Sequence, residues 1–264
     1  MVSMDEWMNW YRWIVELLHI DPSMDRKATS ILSELVKDIE PPINELATVL
    51  RDRNVFVFGA GPSLEPKLNE MVSFYKDILE SSPKIAANGA TKALIERGIV
   101  PEVVTTDLDG DIDYILTAAE KGSIIIIHGH GDNIDKLLKY VPLIKKRTLK
   151  IIATTQVKPL NKVYNFGGFT DGDRAVFLAY HFKSKKVIMA GMDFGEIVGK
   201  YSKPWLKDNV KASYRKRTKL YIAERLISWI ARKPGIEIYT LSEYAPQYVI
   251  KINIKDIPKI VGQP

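Results

Sequence analysis

The sequence predicts an α/β protein with an open, mostly parallel, doubly wound sheet and an N-terminal helical extension. From Asn54 onward, seven short apolar runs alternate with stretches of helical spacing, which is typical of repeated strand–helix units. The 264 residues suffice for one large α/β domain, and no internal repeat or low-complexity linker divides them. The predicted strands are 55–58, 84–87, 103–106, 124–127, 151–154, 187–190 and 236–239, with a candidate edge strand at 248–254; the predicted helices between them are 64–81, 91–98, 112–121, 133–141, 173–182 and 211–232.

Residues 1–50 are predicted to form an N-terminal helical cap, and residues 51–264 the α/β domain, which carries every candidate catalytic residue. Apolar side chains between Trp7 and Leu18 recur every three or four positions, which predicts an amphipathic helix packed on the main domain. The Asp21-Pro22 pair ends this helix, because proline cannot continue it.

The composition excludes several classes of protein and site. There is no Cys, so disulfides, thiolate zinc sites and cysteine nucleophiles are excluded. No apolar run reaches the roughly 20 residues of a membrane span, and the start lacks the features of a signal peptide, so we expect a cytoplasmic protein without a membrane partner. The net charge of +6 is concentrated in residues 200–219, the basic segment, where eight Lys or Arg stand against one acid. The remainder is close to neutral, and we therefore expect no nucleic-acid partner.

Acidic residues follow the predicted strand 103–106 at alternate positions, as Asp107, Asp109, Asp111 and Asp113. Alternate side chains of an extended chain point the same way, so these carboxylates crowd and repel unless a cation compensates them. They suit Mg²⁺, which commonly binds one or two carboxylates together with substrate phosphates. In the alternative interpretation the segment is a polar loop in which Asp111 or Asp113 caps the next helix. We favour a metal or phosphate role for Asp107 and Asp109.

Polar and glycine-rich residues follow the other strands as well. The carboxyl ends of parallel strands share one edge, where open α/β sheets bind ligands. The Gly-Ala-Gly-Pro-Ser motif at 59–63 predicts a phosphate contact, because glycines let the backbone approach an anion at a helix N-terminus. It is neither a dinucleotide fingerprint nor a P-loop, and the alternative is a tight turn that starts a helix.

His128 and His130 lie at alternate positions beside Asp132. Such a group could bind a metal, donate to phosphate or transfer a proton. The spacing does not match the zinc-binding helix, so we expect an anion or hydroxyl contact. The alternative is a glycine-rich turn in which Asp132 caps the following helix.

Two later segments leave both interpretations open. The loop 167–174 could place Phe169 against a planar ring, or could simply start a helix capped by Thr170 or Asp171. The basic segment could cover a polyphosphate or form a solvated face. We favour the first slightly, because phosphate transfer at a carboxylate–metal site needs extra positive charge.

These blocks resemble two families. Residues 86–110, with Ala-Asn-Gly and then Thr-Asp-Leu-Asp-Gly, are similar to the core signature of the thiamine pyrophosphokinase fold. The Gly-Ala-Gly-Pro-Ser-Leu, Thr-Asp-Leu-Asp-Gly, His-Gly-His-Gly-Asp-Asn, Gly-Phe-Thr-Asp-Gly-Asp-Arg and Gly-Met-Asp-Phe-Gly blocks more closely resemble the archaeal 6-hydroxymethyl-7,8-dihydropterin pyrophosphokinases, over about residues 55–195. The chain departs from the thiamine enzymes at Asn88 and His128, each of which replaces an acid.

The resemblance implies transfer of diphosphate from ATP to the pterin hydroxymethyl group, with Mg²⁺ and release of AMP, for methanopterin or folate synthesis. The predicted catalytic residues are Asp107, Asp109, His128 and Asp132, and the predicted metal ligands are Asp107, Asp109 and Asp111. The base for the pterin hydroxyl stays open among Asp111, His128 and Asp132. The predicted nucleotide-binding residues are Gly59, Gly61, Ser63, Asn88, Gly89, Lys203 and Arg215, and the predicted pterin-binding residues are His130, Phe169, Thr170, Asp171 and Asp193.

Two other functions stay open. A nucleotide-sugar-dependent glycosyltransferase, related to sialyltransferase-like flagellin-modifying proteins, would share the Gly-x-Gly-Pro-Ser-Leu block and use His128 or His130 as base. The aspartate cluster argues against it, because those enzymes need no Mg²⁺ carboxylates of this kind. A regulatory module would bind ATP without turning it over. The sequence is silent on oligomeric state, and a homodimer stays open.

Overall fold

The computed structural model describes residues 1–262; the last two residues of the predicted second domain, 263 and 264, lie outside the described residues. The strands are β1 (Asn54–Phe58), β2 (Lys84–Ala87), β3 (Val103–Thr106), β4 (Ile124–Gly129), β5 (Ile151–Thr155), β6 (Val163–Tyr164), β7 (Lys186–Ala190), β8 (Ile197–Val198), β9 (Val210–Lys211), β10 (Glu237–Thr240) and β11 (Ile250–Lys251). The helices are α1 (Met4–Leu18), α2 (Pro22–Leu35), α3 (Ile43–Leu50), α4 (Leu64–Phe74), α5 (Lys76–Ser81), α6 (Ala90–Ile95), α7 (Ile112–Glu120), α8 (Ile134–Lys145), α9 (Asp171–His181), α10 (Tyr214–Ala231) and α11 (Ile257–Val261).

In the described part of the chain, nine strands form one sheet in the order β11-β10-β7-β1-β2-β3-β4-β5-β6. Every neighbouring pair is parallel, which confirms the predicted sheet. The strand order reverses beside β1, because β2 to β5 extend to one side while β7, β10 and β11 extend to the other. In doubly wound folds such a reversal opens a crevice at the carboxyl edge, where ligands bind.

Alternate residues of each strand pack against helices on opposite faces of the sheet. On one face, Val55 and Val57 share a core with α1, α3, α9 and α10. On the other, Phe56 and Phe58 pack with α4, α5, α6 and α11, and Ile125 and Ile127 pack with α2, α7 and α8. Strands buried on both faces are near-continuous apolar runs, which is why the sequence predicts them well.

The predicted N-terminal helices form, and they end close to the predicted breaks. Asp21 caps α2 by accepting from the Ser23 amide at 2.8 Å, and Pro22 takes the first helical position. Trp7 is buried, its indole N–H donates to the Gln156 carbonyl at 2.8 Å, and its ring packs edge-on against Phe177. These contacts attach α1 to the core of the main domain, as the apolar stripe predicts.

The structure differs from the predicted elements in several places. Helix α11 is not among the predicted helices, and the predicted helix 211–232 begins only at Tyr214, because Lys211 belongs to β9. The predicted helix 64–81 breaks at Tyr75 into α4 and α5. The parallel strand β6 and the antiparallel hairpin β8–β9 were not predicted, since two-residue strands are too short to show a hydrophobic pattern.

The predicted edge strand contains β11, which does lie at the sheet edge. None of the helices in residues 1–262 has the length and apolarity that crossing a membrane requires.

Candidate active site

A cleft of about 570 Å³ lies at the carboxyl edge of the sheet, where the strand order reverses. Six strand-end loops line it, together with α10, the β8–β9 hairpin and the turn between α1 and α2. The predicted convergence of the strand-end motifs on one edge is therefore confirmed. One lining residue from each loop is Gly59, Asn88, Asp107, His128, Gln156 and Asp193.

Asn88 holds the two central carboxylates of the cleft together. It follows β2 with a left-handed backbone (φ +46°), which Asn adopts more readily than most residues. Its Nδ2 group donates to Asp109 Oδ1 at 2.6 Å and to Asp107 Oδ1 at 3.2 Å. A Cβ at Gly110 would lie 2.3 Å from Asn88 Oδ1, so the chain needs a glycine after Asp109 to make this contact.

Two basic side chains reach the remaining oxygens of these acids. Lys203, between β8 and β9, forms an ion pair with Asp109 Oδ2, and His130 Nε2 lies 3.6 Å from Asp107 Oδ2. Burial opposes ionisation of Asp107, but the hydrogen bond and charge of His130, with the charge of Lys203, hold its pKa well below the usual value. Asp107 is therefore ionised at neutral pH, as a metal ligand must be.

The structure brings Asp107 and Asp109 together but does not add Asp111. Asp111 is the N-cap residue of α7, and its Oδ2 lies 3.2 Å from Lys92 Nζ on α6. Within residues 1–262, no group of three or more His, Cys, Asp or Glu side chains is arranged to hold a metal ion. Two carboxylates fit a Mg²⁺ ion that takes its other ligands from phosphates and water.

Asp171, the first residue of α9, lines the cleft and adds a third acid to the pair Asp107 and Asp109. Burial and the charges of Asp107 and Asp109 raise the pKa of its carboxyl well above the usual value. The Asp171 carbonyl accepts from the Thr105 hydroxyl at 3.0 Å, which fixes the start of α9 against β3. The three acids repel one another at a place where a bound cation would relieve the repulsion.

Thr170 and Asp173 form a capping box at the start of α9. Asp173 accepts from the amides of Phe169 at 2.6 Å and Thr170 at 2.8 Å, which bears out the interpretation of this loop as a capped helix start. Phe169 is 8% exposed and still lines the cleft. Its contact with a planar substrate ring stays a prediction.

The glycine-rich loop after β1 packs against the loop after β7. The Gly59 amide donates to the Ala190 carbonyl at 2.9 Å, and the Gly61 amide to the Gly191 carbonyl at 2.8 Å. A Cβ on Gly61 would lie 2.6 Å from the Gly191 carbonyl oxygen, so the close approach of the two backbones requires this glycine.

Ser63 does not cap α4 with its own side chain. Its amide and hydroxyl both donate to Asp193, at 2.9 Å and 2.8 Å. Asp193 therefore occupies the position at this helix N-terminus that a phosphate would take.

His128 is buried and held in one tautomer. Arg174 Nη1 lies 2.7 Å from His128 Nδ1, and a guanidinium only donates, so Nδ1 accepts and the ring proton is on Nε2. Nε2 has no partner among the described residues. Burial, followed by the charges of Arg174 and His130, lowers the pKa of His128 well below the usual value, and the ring is neutral. Neither nitrogen is free to accept a proton.

Asp25, on α2, is a buried acid that the sequence does not single out. Its Oδ1 accepts from the Gly131 amide at 2.8 Å, and its Oδ2 accepts from Tyr11 and Gln156, each at 2.6 Å. Gln156 in turn accepts from Arg174 at 3.2 Å, and burial lowers the pKa of Arg174 to about 10. This network connects the N-terminal helices to the loops after β4 and β5. It also fixes the position of Arg174, which donates to His128.

The two other members of the His-Gly-His-Gly-Asp motif lie nearer the opening. His130 is the N-cap residue of the 3-10 turn Gly131–Asn133, where its Nδ1 accepts from the Asp132 amide at 3.2 Å. Nε2 therefore carries a ring proton and faces Asp107. Asp132 is exposed, and one of its oxygens lies 3.5 Å from Arg215.

The β8–β9 hairpin rests directly on the strand-end loops. A Cβ on Gly89 would lie 1.8 Å from the Tyr201 carbonyl oxygen, and a Cβ on Gly199 would lie 2.4 Å from the Ala60 carbonyl oxygen. These two glycines permit backbone contact between the hairpin and the sheet. The hairpin thereby places Lys203 over Asp109.

Two lysines of α10, Lys216 and Lys219, line the cleft; the sequence includes them in the basic segment but does not single them out. Burial lowers the pKa of both, and for Lys216 the charges of Lys203 and Lys219 act in the same direction. Their spacing relative to the buried apolar residues of α10 is the feature by which they could have been identified from the sequence. Positions 216, 219, 223, 227 and 230 share one helix face, and its last three residues, Ala223, Ile227 and Ile230, are buried.

The family model and the sequence relatives agree with one another. The sequence matches the family described as "6-hydroxymethylpterin diphosphokinase MptE-like" over residues 29–199, more than half of the chain. It is 41% identical over 243 residues to the 6-hydroxymethyl-7,8-dihydropterin pyrophosphokinase of Methanocaldococcus jannaschii, covering 89% of this chain and 99% of that one. It is 42% identical over 240 residues to the enzyme of the same name from Pyrococcus furiosus, covering 90% and 98%.

A solved structure with the same fold is the MAf glycosyltransferase of Magnetospirillum magneticum. Its TM-score is 0.51 at 12% identity, and the match covers 77% of this chain but 34% of that one. A likeness at this identity concerns the fold alone.

Proposed function

Because the chain belongs to the MptE-like family of 6-hydroxymethylpterin diphosphokinases, we propose that it transfers diphosphate from ATP to 6-hydroxymethyl-7,8-dihydropterin and releases AMP. The hydroxymethyl oxygen attacks the β-phosphorus, the bond from this phosphorus to the oxygen of the α-phosphate breaks, and AMP leaves with the electron pair. The hydroxyl proton passes to a base or to water.

The observation that carries the proposal is the division of charge across the cleft. Asp107 and Asp109 lie at the carboxyl edge of the sheet, whereas Lys216 and Lys219 approach from α10. Phosphates cannot lie against carboxylates without a cation between them, and they gain from ammonium groups on the other side. Such a site is suited to a magnesium–polyphosphate complex.

Asp107 and Asp109 would hold Mg²⁺, which when bound neutralises charge on the phosphates. The chain's part in the reaction is mainly to position the substrates and to keep charges in place, since phosphate transfer needs little covalent chemistry from the protein. Asn88 holds the two carboxylates next to each other, because its side-chain amide donates to both.

Of the three candidate bases, Asp132 keeps its role in this proposal. His128 carries its proton on Nε2 and accepts from Arg174 on Nδ1, and Asp111 is paired with Lys92 and is not among the residues that line the cleft. Asp132 lines the opening of the cleft and is exposed. An alcohol close to a divalent ion needs only weak help to lose its proton.

The test is the nucleotide product. Purified protein with Mg²⁺ and ATP should form AMP only when the reduced hydroxymethylpterin is added. ADP formation, or AMP formation without the pterin, would show that the proposal is wrong.

Asp109→Asn should abolish this turnover without lowering the melting temperature, because the relief of repulsion from Asp107 and Asp171 offsets the lost ion pair with Lys203. Asp113→Asn is the matched control, because Asp113 belongs to the same aspartate run but is exposed on the first turn of α7. Equal loss of turnover in both variants would mean that the run acts through its total charge and not as a defined site.

A further inference from the structure

We propose that the triphosphate of ATP binds to Lys216 and Lys219 of α10, and not to the glycine-rich loop after β1. The inference rests on the proposed function, because it takes ATP as the ligand. It reverses the expectation from sequence, in which Gly59, Gly61 and Ser63 contact phosphate.

The first support is that these two ammonium groups are held in the cleft without a counter-ion. Both side chains are partly buried, and neither has an ion-pair partner within residues 1–262. The acids whose charges act on Lys216 are Asp109 and Asp171, and those whose charges act on Lys219 include Asp107 and Asp109. Burying an unpaired cation costs stability, so a site that keeps two of them is prepared for an anion.

The second support is that neighbouring cations of the basic segment are already engaged. Lys200 pairs with Glu65 at 2.7 Å, and Arg217 pairs with Glu196 at 3.1 Å. Lys203 is paired with Asp109.

Arg215, which the sequence argument favours as a nucleotide ligand, lies 3.5 Å from Asp132 and 3.2 Å from the Leu18 carbonyl oxygen. Among the cations of the segment that line the cleft, Lys216 and Lys219 are thus the pair left for phosphate oxygens, as far as the described residues show.

The third support is that the glycine-rich loop offers little to an anion. The amides of Gly59 and Gly61 donate to the backbone carbonyls of the β7 loop. The amide and hydroxyl of Ser63 donate to the carboxylate of Asp193. A phosphate at this helix N-terminus would have to displace an acid that is already bound there, and would be repelled by it.

The proposed site therefore has its charged groups in a defined spatial order. Asp107 and Asp109 form one wall, a magnesium-bound triphosphate would lie next to them, and Lys216 and Lys219 would close it from α10. The two lysines are one helical turn apart on the same face, so a chain of phosphates can contact both. Their reach toward the phosphates also brings positive charge to the leaving AMP.

The test uses inorganic tripolyphosphate and α,β-methylene-ATP as probes, with Mg²⁺, and measures dissociation constants by calorimetry. Lys216→Gln and Lys219→Gln should each weaken the binding of both probes roughly tenfold to a hundredfold, the range for loss of one charge-assisted hydrogen bond. Adenosine, which has no phosphate, should bind to both variants as it does to the wild type. Lys216→Arg should retain most of the affinity.

Lys211→Gln is the matched control, because Lys211 belongs to the same segment but is exposed on β9 and does not line the cleft. Its affinity for both probes should be unchanged. Neither cleft variant should lower the melting temperature, because each removes an unpaired cation that is partly buried.

Two results would overturn the inference while leaving the proposed function intact. One is wild-type affinity for tripolyphosphate in both cleft variants, with pterin-dependent AMP formation still present in the wild type. The other is a loss of affinity that Ser63→Ala shows and the lysine variants do not. Failure of the wild type to form AMP with the pterin would instead reject the proposed function.

Discussion

Replacing Lys203 by Met should tighten the binding of a divalent cation to the protein without nucleotide. The Lys203 ammonium is paired with Asp109 Oδ2, one of the oxygens proposed to bind Mg²⁺. In the proposed site, lysine and metal would therefore compete for one carboxylate, and the ion pair would have to break before the metal binds. Met keeps the length and apolar character of the lysine stem but removes the competing charge.

The magnitude follows from the exposure of the pair. A hydrogen bond to a charged group contributes about 1.5–3 kcal/mol. The side chains of Lys203 and Asp109 are 28% and 21% exposed, so solvent screens part of this interaction. We expect a net effect of about 1–2 kcal/mol, which is roughly a 5- to 30-fold lower dissociation constant. The lost repulsion between ammonium and metal acts in the same direction.

The assay is Mn²⁺ binding, followed by electron paramagnetic resonance in the absence of ATP. Lys207→Met is the control, because Lys207 is an exposed lysine of the same segment. Adding Asp109→Asn to Lys203→Met should cancel the gain. Unchanged or weaker Mn²⁺ binding in Lys203→Met would refute the reasoning, since Lys203 and the metal would then not share Asp109.

Three further outcomes follow from the same geometry. Asp171→Asn should raise the melting temperature at pH 7, because the pKa of Asp171 is raised by burial and by two neighbouring carboxylates, so its ionised form destabilises the fold. The free energy of unfolding should fall as the pH drops below about 6.5. In this range His128 takes up a proton in the unfolded chain but not in the folded chain, where its pKa is lowered. The melting temperature of His128→Gln should therefore depend less on acid than that of the wild type. Gly89→Ala should cost about 1–3 kcal/mol and increase proteolysis of the hairpin, because the new methyl would meet the Tyr201 carbonyl; a stable variant with an intact hairpin would contradict this contact.

The sequence predicts the strands well for a physical reason. Parallel strands buried on both faces must be apolar throughout, so runs such as Ile124–Ile127 are visible without any neighbour. The β8–β9 hairpin depends on two backbone contacts, Gly89 with Tyr201 and Gly199 with Ala60, whose partners lie far apart along the chain. No local pattern encodes such contacts, and the hairpin could not be predicted.

Cleft residues that directly follow a strand could be predicted from the sequence, whereas residues whose role depends on contacts between distant side chains could not. Asp107 and Asp109 follow a strand directly and could be identified from sequence. The partners of Asp25 lie 14, 106 and 131 residues away along the chain, so its role depends on the folded structure. Lys216 and Lys219 could have been found by extending the buried stripe of α10 backwards, but the density of charge in the segment hides that periodicity.

The distribution of charge explains why the protein can fold around a site that repels itself. Asp107, Asp109 and Asp171 repel one another in the cleft, and each needs compensation before any substrate arrives. Asn88 supplies an amide where a fourth acid would add to the repulsion, and Lys203 supplies a cation on a hairpin seated by glycines. Both contacts are with oxygens that a divalent ion would also use. In the proposed function, Asn88 and Lys203 would therefore compete with the metal for these oxygens, and metal binding would include the release of Lys203 from Asp109.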